Sequence, residues 1–361
     1  MKLGLKTAIA AAVAMTLGTA AHATDLTVVS WGGAYTKSQV EAYHKPFTAE
    51  TGTNIISEDY NGGIAEIKAQ VEAGNVTWDV VDVELSDAVR ACDEGLAEPI
   101  DKSILPPAPD GTPATEDFIA GTLDVECAVP TIVWSTIFAY DSSKIETGPT
   151  TIADFFDLEA FPGKRGLRKS PKANLEMALM ADGVAGEDVY EVLSTPEGID
   201  RAFAKLDSIK SEVVWWEAGA QPPQLLADGE VAMTTAYNGR IFNAVASEDK
   251  PFNIVWDGQV WDLDLWIIPK GAPNKDAALE FVKYSTDTQR LADQASWISY
   301  GPTRQSSSSL VGSFHDNPDL KMAPQMPTAP ENFTNAIQND FEFWADYQDE
   351  LNERFNAWLA S

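Results

Sequence analysis

Strand-like and helix-like segments alternate along the first hundred residues, and this alternation constrains the fold more than any other feature. Leu26-Thr-Val-Val-Ser-Trp31 reads as a strand ending at Gly32-Gly33, and a helical pattern follows from Tyr35 to Thr51. A second strand, Asn54 to Tyr60, closes on Asn61-Gly62-Gly63 and is followed by a helix to about Ala73. Trp78-Asp-Val-Val-Asp-Val-Glu84 is an apolar strand with acids at its far end, and a helix comes next. Strand and helix repeating at this spacing require a parallel sheet, so the fold class is α/β.

A second α/β set spans Ile152 to Arg240, with helical patterns near Leu175–Asp182, Gly198–Ile209 and Pro223–Asp228. A strand over Trp256–Pro269 and a helix over Lys275–Gln294 follow, then a Pro-rich coil around Pro324–Pro330 and an amphipathic helix, Phe341–Leu359. Two lobes are expected because the chain is too long for a single core. The absence of a long flexible linker predicts lobes joined by strands that cross between them. Residues 24–137 and 262–310 are assigned to one lobe, and residues 138–261 and 311–361 to the other. Ligands of open α/β sheets sit at the carboxyl ends of strands, which points to Trp31–Tyr35, Tyr60–Gly63 and Glu84–Ser86.

The first residues carry an address. Lys2 and Lys6 precede the apolar run Ala8–Leu17, and Ala21-His22-Ala23 is a small-x-small cleavage motif, so residues 1–23 read as a signal peptide. The run is too short to span a bilayer, and cleavage after Ala23 predicts a periplasmic protein. Cys92 and Cys127 are the only two cysteines, and an oxidising compartment would join them as a staple. The net charge of −30 argues against nucleic acid and anionic membranes and suits a cationic solute.

Catalytic signals are missing. Beyond the signal segment only His44 and His315 remain, and both read as surface residues. There is no Gly-x-Ser-x-Gly elbow, no Walker loop, no His-Glu-x-x-His and no Gly-x-Gly-x-x-Gly. No metal, cofactor or enzymatic activity is expected. One stretch stands out instead, Trp256-Asp-Gly-Gln-Val-Trp261-Asp262-Leu-Asp264-Leu-Trp266, with three tryptophans and three aspartates. Aromatic faces and carboxylates both attract an ammonium ion. Asp262 and Asp264 share one face of a strand, so both can line a cleft. Trp261 and Trp266 are read as falling off that face, Trp266 into the core and Trp261 at the strand's entry.

Seven segments, in order, resemble the polyamine (spermidine/putrescine) branch of the bacterial extracellular solute-binding proteins. They are Val29–Tyr35, Trp78–Val81, Ala128–Pro130 with Trp134, Trp215–Glu217, Gly229–Met233 with Ala236–Gly239, Trp261–Pro269 and Tyr300–Thr303. The resemblance implies a two-lobe periplasmic-binding fold of type II that closes on a solute and delivers it to the membrane permease of an ABC importer. It also implies a polyamine ligand, aromatic walls at Trp31, Tyr35, Tyr237 and Tyr300, and an ammonium clamp at Asp264. A monomer is expected.

One departure changes the expected chemistry. Where the family places acids ahead of the Met177-Ala178-Leu179 helix, this chain has Ser170 and Ala173 among Arg168, Lys169 and Lys172. Glu84 or Glu217, the latter beside Trp216, could supply the missing acid. Otherwise the ligand is a shorter zwitterion, a betaine or an amino acid, with Arg168 meeting its carboxylate. Tyr60 and Trp134 are further aromatic candidates.

Overall fold

A computed structural model describes residues 25–333 and 335–361, so the signal segment lies outside the described residues. Eight strands form the main path of a ten-stranded sheet, β1 Asp25–Ser30, β2 Asn54–Asp59, β3 Val80–Glu84, β4 Ala128–Asp141, β5 Arg165–Arg168, β6 Val213–Trp216, β7 Met233–Tyr237 and β8 Phe252–Ile267, and two short strands, Gly301–Pro302 and Ile337–Gln338, pair with β4 and β8. The order of the eight is β2-β1-β3-β8-β4-β7-β5-β6. β1 runs parallel to β2 and β3, and β5 runs parallel to β6 and β7, as the strand–helix alternation requires.

The middle of the sheet departs from that rule. β8 is antiparallel to both β3 and β4, and β4 is antiparallel to β7. β4 and β8 pair from Ala128 opposite Ile267 to Asp141 opposite Phe252, and so run through both lobes. Residues 137–138 and 261–262, where the lobes were expected to exchange, lie inside these two strands. Their register slips twice, between Pro130 and Ile132 and, by more, in the middle: Thr136 faces Val260, but Phe138 faces Val255. The extra residues on β8 include Gly258, at φ +77°, where a Cβ would lie 2.6 Å from the Ile152 side chain. Such a bulge bends a strand without ending its pairing.

Alternation along the strands divides the core. Val81, Val83, Leu263, Leu265 and Ile267 pack on one face of the first lobe, and Val80, Trp266, Ile268 and Phe281 on the other. The second lobe has its own core around Met177, Leu179, Phe203 and Phe355. The C-terminal helix, Phe341–Ala360, contributes Phe343, Trp344, Leu351 and Phe355 to the buried surface. It also reaches the first lobe, where Arg90 donates to Asp349 at 3.0 Å and Gln348 to Asp87 at 3.1 Å.

Several local expectations change. The helical pattern from Tyr35 to Thr51 contains a π turn, Val40–His44. His44 is a core residue, 4% exposed, with its ring 5.6 Å from that of Phe281. Burial lowers its pKa to about 4, so it packs as a neutral ring. His315 is half-buried and stacked on Trp297 at 3.5 Å. The run Lys275–Gln294 divides into helices Lys275–Ser285 and Thr288–Ala295, because Asp287 accepts from the Gln289 N–H and caps the second.

Cys92 and Cys127 form a disulfide with Cα atoms 5.8 Å apart, tying helix Leu85–Asp93 to the start of β4. Closing a loop with a separation of 35 residues stabilises by about 3–4 kcal/mol in the chain-entropy model. The double variant Cys92→Ala/Cys127→Ala should lose stability on that scale in denaturant melts. A loss under about 1 kcal/mol would show that the bond does not act as a staple.

Candidate ligand-binding site

The register of the central strands assembles the site. Glu84 on β3 lies opposite Asp264 on β8, and Trp134 on β4 lies opposite Asp262. Asp262, Asp264 and Trp266 alternate onto one face of β8. Trp266 therefore shares the aspartates' face, against the sequence expectation. It is still core, because its position lies one step further into the first lobe, 5.7 Å from the Phe281 ring. Trp261 points to the other face and packs near Phe333, at 6.0 Å.

Loops at the strand ends supply the rest. Trp31 follows β1 and Tyr35 lies in helix Gly33–Gln39. Tyr237 ends β7, Arg240 lies in helix Asn238–Glu248, and Tyr300 precedes Gly301. Trp31, Tyr35, Glu84, Trp134, Tyr237, Arg240, Asp264 and Tyr300 line a small cavity of about 20 Å³. The Tyr35 and Tyr300 rings meet edge-on at 5.2 Å, and Trp134 and Tyr237 meet at 5.0 Å. A chamber sharing Trp134 adjoins it, lined by Arg168, Lys172, Asn174, Trp216, Asp262 and Asn339.

The electrostatics are mixed in sign. Asp264 accepts from Trp134 Nε1 at 2.7 Å, and burial, with Asp82 and Glu84 nearby, pushes its pKa well up. Burial likewise raises Asp262, reinforced by Glu84. Burial would raise Glu84 too, but Lys172 at 2.7 Å and Arg168 at 3.1 Å overturn this and lower it to about 2. The Arg168 guanidinium also lies over the Trp31 and Tyr237 rings, at 5.8 and 5.7 Å. Arg240 donates to the Gly32 carbonyl, and to that of Trp31 at 3.1 Å. Three cations of the second lobe thus reach acceptors of the first.

Several buried polar atoms around these chambers have no partner among the described residues. Trp31 Nε1, Trp216 Nε1, Arg240 Nε and the Tyr35 hydroxyl are potential donors; Asp262 Oδ2 and Asn339 Oδ1 are acceptors. A ligand offering acceptors at one point and donors at another would satisfy both sets.

Of the residues singled out from sequence, Trp31, Tyr35, Glu84, Tyr237, Asp264 and Tyr300 line the cavity, and Trp216 and Asp262 line the adjoining chamber. Trp261 lies outside both. So does Glu217, whose side chain is 67% exposed and faces Lys169 at 3.4 Å, because it stands on the loop after β6. Trp134, a secondary candidate, is a wall of both. Arg240 and Lys172 were missed as site groups. Arg240 sits one residue beyond the Ala236–Gly239 segment, and Lys172, read as a repulsive charge, is the counter-ion of Glu84. Among the described residues no group is arranged to hold a metal, and no helix is long and apolar enough to cross a membrane.

Two lobes joined by crossing strands, with an enclosed aromatic cavity of mixed charge between them, define a receptor for a small solute. The profile of the bacterial extracellular solute-binding proteins matches residues 42–328, and the chain belongs to that family. It is 46% identical over 340 residues to the gamma-aminobutyric acid-binding protein of Pseudomonas aeruginosa, covering 94% of this chain and 92% of the relative. The spermidine/putrescine-binding periplasmic protein of Salmonella typhimurium is 26% identical over 303 residues, covering 80% and 82%. A solved GABA receptor, Atu4243, superposes with a TM-score of 0.78 at 33% identity, covering 94% of this chain and 98% of that one. The fold is the type II periplasmic-binding arrangement, and the protein binds a solute rather than acting as an enzyme.

Asp82, beneath the cavity, accepts from Gln39 Nε2 at 2.6 Å and Ser30 Oγ at 3.0 Å, yet burial raises its pKa to about 7. A carboxyl raised on folding holds its proton more tightly when folded, so its contribution to stability falls as pH rises between about 4 and about 7. Asp82→Asn should therefore gain stability relative to wild type across that window. Melts at pH 4 and pH 8 that show the same difference would contradict this.

Proposed function

We propose that this protein is the periplasmic receptor of an ABC importer for a short zwitterionic amino acid of the γ-aminobutyrate type. The observation that carries the reading is that Asp264 and Arg240 line one aromatic cavity, with Arg168 over its Trp31 and Tyr237 walls and with Trp31 Nε1, Arg240 Nε and the Tyr35 hydroxyl unpartnered. The ammonium end sits at Asp264 among Tyr35, Trp134, Tyr237 and Tyr300. The methylenes lie between the aromatic walls, and the carboxylate turns to Arg168 with Trp31 Nε1 alongside.

The polyamine reading fits less well. A polyamine brings cations and N–H donors only, so it would face Arg168, Lys172 and Arg240 with no carboxylate to offer. The likeness to GABA-binding relatives supports the zwitterion over a diamine. The periplasmic address rests on the basic start, apolar run and Ala21-His22-Ala23, together with the relatives' location. Delivery to a membrane permease follows from the family.

A charge-assisted hydrogen bond contributes about 1.5–3 kcal/mol. Arg168→Ala and Asp264→Asn should therefore each weaken γ-aminobutyrate binding at least about tenfold in calorimetry. Putrescine and spermidine should give no heat at micromolar protein; tighter binding of either would overturn the proposal.

Burial pushes the Asp264 pKa up, and an ammonium ion beside it would push it back down, releasing protons on binding. The apparent binding enthalpy should then vary with the ionisation enthalpy of the buffer. A heat independent of buffer would remove Asp264 from the ammonium end.

A further inference from the structure

Three glycines stand directly behind three aromatic walls of the cavity. A Cβ on Gly62 would lie 2.2 Å from the Trp31 indole, one on Gly219 2.9 Å from the Tyr237 ring, and one on Gly239 2.6 Å from the Tyr300 ring. Side chains do not tolerate such approaches, so in each case the ring or the backbone would have to move. Gly62, at φ +85°, also has a backbone reason to be glycine. Gly219 and Gly239 have none, since neither lies in the left-handed region. Gly239 belongs to the first turn of helix Asn238–Glu248, where alanine is the stronger helix former. Local preference favours a methyl group at 239, and the Tyr300 ring and the Ile298 side chain, 2.6 and 2.7 Å from such a Cβ, exclude it.

We propose that Gly219 and Gly239 are positioning residues that set the depth of the cavity and hence the length of ligand it admits. They let Tyr237 and Tyr300 sit back from Asp264, leaving room for methylenes between the ligand's charged ends. Tyr237 is hemmed by Trp134 at 5.0 Å and Trp216 at 5.5 Å, and Tyr300 by Tyr35 at 5.2 Å. The unfilled space beside both is the cavity. A Cβ on Gly219 would also come within 3.5 Å of Arg240 Nε, narrowing the same side. The assignment of ligand length rests on the zwitterion reading; the placement of the rings does not.

The test uses the mature chain and its Gly219→Ala and Gly239→Ala variants, titrated calorimetrically with glycine, β-alanine, γ-aminobutyrate and 5-aminovalerate. Both variants should lose at least tenfold for the two longer ligands and less for the shorter ones, moving the preference toward short chains. Equal weakening of all four, or affinities within twofold of wild type, would overturn the proposal, since a merely structural role does not shift length preference. If Gly239→Ala does not fold, Gly219→Ala carries the same outcomes. Failure of the wild type to bind any of the four would defeat the zwitterion reading alone. The ring positions in a crystal structure of Gly219→Ala or Gly239→Ala would then decide: Tyr237 or Tyr300 displaced toward Asp264 supports positioning, and an unmoved ring overturns it.

Discussion

The pairing of β4 with β8 holds the rest of the structure in place. Fourteen residues of one strand and sixteen of the other run antiparallel through both lobes, with the larger of two register slips in the middle. Lobe closure needs a hinge that bends without losing its backbone hydrogen bonds, and a bulge between two paired stretches provides one. Trp134, Asp262 and Asp264 sit on the first-lobe side of that slip. Asp264, the acid proposed to meet the ligand, thus belongs to the crossing strands, where rotation of one lobe against the other displaces atoms least. Tyr237, Arg168 and Arg240 come from the second lobe and approach it on closure.

How much of this the sequence discloses depends on how each element signals. β1, β2 and β3 end at glycine turns or acids and are separated by helices, so alternation alone exposes them. β4 is buried along its whole length, and a run without polar alternation shows no period, so only fragments of it stand out. β8 alternates visibly, and Asp262 and Asp264 follow directly from its period. Trp266 shares their parity and is nevertheless core, because a strand crossing from cleft to lobe interior changes surroundings along one face. Glu217 looked equivalent to Glu84 beside an aromatic residue, but a loop position after β6 leaves it in solvent.

Arg240 and Lys172 were harder to see for a different reason. A basic residue in a polar segment reads as a solvated surface group, and only the closed fold shows where its charge ends. The net charge of −30 compounds this, since it favours a cationic ligand. That excess acidity is mostly on the outside. Inside the cleft Arg168, Lys172 and Arg240 converge, and Glu84, lowered to about 2, is ionised beside Arg168 and Lys172. Overall charge describes solubility and long-range attraction; the local balance decides which ligand fits.

That local balance favours a molecule with two opposite charges. Glu84 is buried, and it is tolerable only because Lys172 and Arg168 meet both of its oxygens; removing either cation would strand a charge in low dielectric. Yet Arg168 and Arg240 stand beside the cavity walls, and a ligand carboxylate can meet their positive charge. On the proposed reading Asp264, its pKa pushed up by burial and its carboxyl oriented by Trp134, ionises more readily once an ammonium ion is beside it. A diamine would engage Asp264 but leave the arginine charge unmet and add to it. A simple carboxylate would meet that charge but leave Asp264 unused. Both gains are available together only to a solute with its two charges far enough apart to reach both groups, which is the property that separates an ω-amino acid from its neighbours in chemistry.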